Sequence, residues 1–159
     1  MAEIIKKLGD NLKQQLKLFK KIISLEKAKQ QALVENKIQE LETVTAQEEL
    51  ILLEVGRLEE ERLYWAEFFA QETGKQSEKI TLQDLEEVHP SFKDIRIELE
   101  KVISEMQSLK EINTKLLKNA ISLVNLTINS LTSSSKATYS KNKIEKKMNN
   151  EFFFIDKDV

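Results

Sequence analysis

The chain has no cysteine, one histidine, one proline and three glycines in 159 residues, and each scarcity removes a class of function. Without cysteine there is no disulfide framework, no zinc thiolate site and no thiol nucleophile, and the composition suits a reducing compartment. The one imidazole, His89, stands beside Pro90 at a helix junction. A Ser-His or Cys-His relay would have to be built around it, and a dimetal carboxylate bundle, which needs paired Glu-x-x-His motifs, is excluded. The chain also lacks a glycine-rich phosphate loop, an HExxH helix and an EF-hand loop. Adjacent glutamates such as Glu59, Glu60 and Glu61 point about 100° apart on a helix and suit a solvated face. The expectation is a protein that is not an enzyme and that uses no metal or cofactor.

Long apolar runs are missing too. None approaches the ~20 residues of a membrane span, and the N-terminus alternates Ile, Lys and Leu instead of building a signal core. The expectation is a soluble protein without stable membrane insertion, not itself exported by a cleaved signal. With a net charge of −2 and a pI near 5.7, it lacks the basic excess of a nucleic-acid binder. Charge is nonetheless segregated. Residues 1–35 carry eight lysines against four acids, whereas residues 37–72 carry ten glutamates against Lys37, Arg57 and Arg62. Two solvated helix faces that attract each other in an antiparallel hairpin account for this pattern.

What remains is helix. The fold class is all-α, an elongated antiparallel helical bundle or coiled coil of three long helices plus one short helix, with a flexible C-terminal tail. The helices are expected at about 3–35, 37–72, 82–88 and 91–132, followed by a tail over 133–159. Ile5, Leu8, Leu12, Leu16, Phe19, Ile22 and Ile23 set a 3-4 spacing in the first helix. That pattern falters between Glu26 and Gln31 and breaks at Glu35-Asn36-Lys37. The second helix runs through Leu41, Val44, Leu50, Leu53, Val55 and Leu58 to Tyr64, Trp65, Phe68 and Phe69, aromatics that read as a core plug at the loop end. Gly74 suits a helix C-cap, Thr81 with Asp84 resembles a capping box, and Pro90 ends the short helix.

The last helix carries the functional signal. On a helical wheel Ile95, Leu99, Val102, Ile103, Met106 and Leu109 occupy an arc of roughly 120°, which one neighbouring helix covers. From Leu116 to Leu131 the apolar arc widens to roughly 160°, more than one neighbour covers. Asn113 falls inside this arc, where asparagine can fix register at a cost in stability. The lower half of this helix is thus expected to bind a helix of another protein. A homo-oligomeric coiled-coil scaffold is the alternative, motivated by the same apolar excess. A membrane-surface role, suggested by the Lys-rich first helix and the terminal aromatics, is third. Phe152, Phe153, Phe154 and Ile155 either fold back on the bundle or contact a partner.

A basic first helix, the Glu35-Asn36-Lys37-Ile38 break, Leu41-Glu42-x-Val44-Thr45-x-x-Glu48-Glu49, Ile80-Thr81-Leu82-x-x-Leu85 and Pro90 follow one another in order. With Asn113-x-x-Leu116-Leu117-x-x-Ala120-x-x-Leu123-Val124-Asn125 and Thr138-Tyr139 in the tail, this order resembles the flagellar export chaperone FlgN family over nearly the whole chain. The resemblance implies a cytoplasmic chaperone, monomeric or a weak homodimer. It would hold the C-terminal helical segments of the hook-associated proteins FlgK and FlgL, prevent premature assembly and deliver them to the type III export gate. By resemblance, client contacts map to Leu109, Ile112, Leu116, Leu117, Ala120, Val124 and Ile128, and Tyr139 to contact with the gate component FlhA. The glycines that usually follow that tyrosine in the family are replaced here by Ser140, Lys141, Asn142 and Lys143.

Overall fold

The computed structural model describes residues 1–131. Four α-helices follow in order: α1 (Ala2–Val34), α2 (Ile38–Thr73), α3 (Leu82–Val88) and α4 (Phe92–Leu131), with a single 3-10 turn at Ser77–Lys79 before α3. Three are long and one is short, and all described regular structure is helical.

The α1–α2 turn is compact because Asn36 adopts φ 55°, a left-handed geometry that asparagine tolerates better than most residues. Lys37 N–H then donates to Ala32 O at 2.9 Å and Asn36 N–H to Leu33 O at 3.4 Å, which closes the last turn of α1 as a Schellman motif. Gly74, at φ 70°, plays the same part after α2, and Lys75 N–H donates to Ala70 O at 3.1 Å. At the start of α3, Asp84 N–H donates to Thr81 Oγ1 at 3.2 Å and Thr81 N–H to Asp84 Oδ2 at 2.7 Å. This reciprocal pair is a capping box. The Lys75 ammonium, joined by this pair, holds the Asp84 carboxyl down at about 2.

Among the long helices the close approaches are α1 to α2 and α1 to α4, while α3 lies against the start of α4. α1 therefore buries residues on two sides. It runs antiparallel to α2 and parallel to α4, since Phe92 at the start of α4 sits beside Gly9 and Asn113 much further along meets Glu26. The main core runs from Ile4, Phe69 and Phe92 past Leu12, Leu16 and Leu99 to Ile23, Val55 and Met106. Between α1, α2, α3 and α4 a cleft of about 210 Å³ remains, lined by Phe19, Ala66, Leu82, Leu85, Leu99 and Ile103.

The expected aromatic plug is only half inside. Phe69 is fully buried, but Tyr64 and Phe68 are exposed, stacked edge to face on each other outside the core. Between them Trp65 is half-buried beneath the Lys7 ammonium.

Candidate functional site

Two features of the lower bundle define the site: a buried polar layer and the length of α4 beyond it. The layer forms where the apolar pattern of α1 falters. Glu26 and Lys29 of α1, Glu48 of α2 and Asn113 of α4 are all at most 4% exposed. Lys29 Nζ donates to Glu48 Oε2 at 2.7 Å and to Glu26 Oε1 at 3.4 Å. Asn113 Nδ2 donates to the Glu26 backbone O at 2.8 Å and to Glu26 Oε2 at 2.6 Å.

Two carboxyls thus share one ammonium in a place where burial penalises charge. Desolvation, opposed by Lys29 and reinforced by neighbouring Glu26, pushes the Glu48 carboxyl up to about 8. Glu48 therefore keeps its proton at neutral pH. On the α4 side Lys110 also faces Glu26, and burial pulls its ammonium below the usual lysine range. Glu48 Oε1 and Asn113 Oδ1 are buried without a hydrogen-bond partner. The layer ties the three long helices at one level and leaves Ala32, Leu33, Val44 and Leu117, all buried, outside the main core.

Below the layer α1 runs out before α4 does. Asn113 is level with Glu26, and parallel helices advance together, so Val34 stands level with about residue 121. Helix α4 goes on to Leu131, about 15 Å further at 1.5 Å per residue.

The residues expected to contact a client do not share one open face. Ile112 is 43% exposed, and Leu109 and Leu116 are half-buried on the same flank. Ala120 and Ile128 are half-buried. Leu117 is a correction. Its wheel angle coincides with that of Leu99, so it turns toward α1 and is 6% exposed. The side chain of Val124 and all of Tyr139 lie outside the described residues, as does the tail expected over 133–159.

Sequence reasoning missed the polar layer as a unit. Its signal was the faltering run at Glu26–Gln31 together with an asparagine inside the apolar arc of α4. Among the described residues, no group of three His, Asp or Glu side chains is placed to hold a metal, and no helix is long and apolar enough to cross a membrane.

No curated protein and no solved structure matches the chain. The family model described as "FlgN protein" matches residues 1–147, which takes in all four helices and extends past Tyr139. On that match the chain belongs to the FlgN family, whose role is that of a flagellar export chaperone.

Proposed function

We propose that this chain is a cytoplasmic, non-enzymatic chaperone that receives the C-terminal helical segment of the hook-associated proteins FlgK and FlgL on the lower half of α4. It keeps that segment from premature assembly and passes it to the export gate component FlhA through the region of Tyr139. One observation carries the reading: α4 outlasts its partner helix by about 15 Å while presenting Ile112 and Leu126, 43% and 67% exposed, on its flanks. A client helix laid along Leu109, Ile112, Leu116, Ala120, Val124 and Ile128 would cover the flank of α4 beside α1 and, below the level of Val34, take the place of α1 itself. Leu117 supports this surface from inside the bundle.

The test is client-helix binding to the full chain by calorimetry, comparing wild type with Ile112→Asp and Leu116→Asp. A carboxylate forced into a desolvated helix contact costs at least the ~1.4 kcal/mol that weakens affinity tenfold. Ile112 is too exposed for its substitution to unfold the bundle, so a tenfold or greater loss with unchanged helical circular dichroism is expected. Unchanged affinity in both variants would refute this placement. Sedimentation separates the chaperone from a homo-oligomeric scaffold, which would remain a tight oligomer on dilution.

A further inference from the structure

The outward face of α2 carries an apolar stripe that nothing among the described residues covers. Leu50, Leu53, Tyr64 and Phe68 are 68%, 73%, 56% and 37% exposed. On the helical wheel they share an arc of about 60°, nearly opposite the buried Val44, Val55, Leu58 and Phe69. The flanks of the stripe are acidic: Glu49, Glu54, Glu60 and Glu67 are exposed and Glu61 half-exposed. Arg57 is the one base on this face, already paired with Glu54 at 2.6 Å and Glu61 at 3.8 Å. A second copy meeting this face with its own α2 would set glutamates against glutamates. The exposed face of α1 is rich in lysine but not apolar.

One segment of the chain has the complementary chemistry. Between residues 136 and 155 stand Lys136, Lys141, Lys143, Lys146 and Lys147 against Glu145 and Glu151, with Phe152, Phe153, Phe154 and Ile155 at the end. We propose that the Lys-rich, Phe-terminated segment 136–155 docks in cis on the acidic, apolar outer face of α2, with its aromatic cluster on Leu50 and Leu53. The reach allows it. Leu53 lies fifteen residues along α2 from Ile38, about 22 Å, and the α4 overhang adds about 15 Å. The twenty-one residues from Leu131 to Phe152 span up to ~70 Å when extended, so this path of about 40 Å needs no full extension. Tethering raises the effective concentration to the order of millimolar, so even a weak contact is occupied. The same segment carries Tyr139, so docking places that tyrosine under the control of α2.

Because the chain has no cysteine, a nitroxide attached to Asn150→Cys is the only label in the full-length protein. Paramagnetic broadening of backbone amides is then read along α2. Loss of the Leu50 and Leu53 amide signals in a dilute sample is expected, with the Ile4–Leu16 region of α1 unaffected. Lys143→Glu, Lys146→Glu and Lys147→Glu together, or a rise to 0.5 M salt, should restore those signals, since exposed charges are screened over a few ångströms at such salt. Broadening confined to α4, or absent from the whole bundle, would overturn the proposal. So would broadening seen only when spin-labelled protein is mixed with isotope-labelled, label-free protein, which would assign the face to a second copy. Client affinity has no part in this readout, so failure of the α4 surface and failure of the α2 face are told apart.

Discussion

Glu48→Gln should stabilise this protein above neutral pH, and the size of the effect follows from the buried layer. In the unfolded chain the Glu48 carboxyl titrates near 4.5, and in the fold it titrates at about 8. Between those values the folded state holds a proton that the unfolded state has released, so stability falls as pH rises. The contribution is fully present below 4.5 and is lost as pH climbs through about 8. The full difference of 3.5 units, taken as 8 minus 4.5, corresponds to about 5 kcal/mol at 1.36 kcal/mol per unit. Over the accessible window from pH 5.5 to pH 8 it amounts to about 3 kcal/mol.

Glutamine is the neutral isostere of the protonated side chain. Its carbonyl can accept from Lys29 Nζ as Glu48 Oε2 does now, and its amide can donate toward Glu26. The groups facing the site are Glu26 and Lys29 on α1 and Lys110 and Asn113 on α4, and both proteins carry all four. The difference between variant and wild type therefore isolates Glu48. Urea unfolding followed by circular dichroism at several pH values should show the gap in favour of Glu48→Gln widening by about 3 kcal/mol across the window, roughly 10 °C in melting temperature. Parallel pH profiles would refute the reasoning. A variant less stable than wild type at pH 8 would do so more strongly, since it would mean that an ionised Glu48 is held by Lys29 at a net gain.

Three further substitutions test the reading of α2. Gly56 is helical and a Cβ there would meet nothing within 4 Å, so Gly56→Ala should raise stability by about 0.5–1 kcal/mol in the same urea experiment. The aromatic pair one residue apart should split: Phe69→Ala, at 0% exposure, should cost about 3–5 kcal/mol, whereas Phe68→Ala should cost under about 1 kcal/mol, because exposed contacts contribute little.

The three-helix architecture was legible because it rests on periodicity and punctuation. Glu35-Asn36-Lys37, Gly74, the Thr81 and Asp84 pair, and Pro90 each interrupt a 3.6-residue pattern by a local mechanism that needs no tertiary partner. What escaped depends on which side of a helix faces which neighbour. Leu50 and Leu53 fit a generic helical spacing, yet they point away from α1, because the side of α2 facing α1 is already taken by Val44, Glu48, Val55 and Leu58. The resemblance maps Leu117 to the client surface, but the wide arc of α4 is not uniformly open. The arc has an inner edge, set by α1, and Leu117 and Asn113 stand on it while Ile112 and Leu116 stand beyond it. Burial of Glu26, Lys29 and Glu48 could not be inferred from charge segregation, which places lysines and glutamates on solvated faces and says nothing about the few that cross into the core.

The polar layer also explains why the lower end can be left short of neighbours without the helices sliding. An apolar seam between parallel helices tolerates a shift of one turn, since leucine replaces leucine. A shift of α1 against α4 would instead strand Asn113 Nδ2, Glu26 and Lys29 in an apolar setting, at about 1–3 kcal/mol for each neutral group and more for each charge. The register is thus pinned at Asn113, only three residues above Leu116. The lower half of α4 consequently projects at a defined rotation, with Ile112 and Leu116 on one flank and Ile128 on the side of Leu117, below the level of Val34. Under the proposed function, a surface that seats a client helix in one orientation requires that fixed rotation, and a uniformly apolar seam would not supply it.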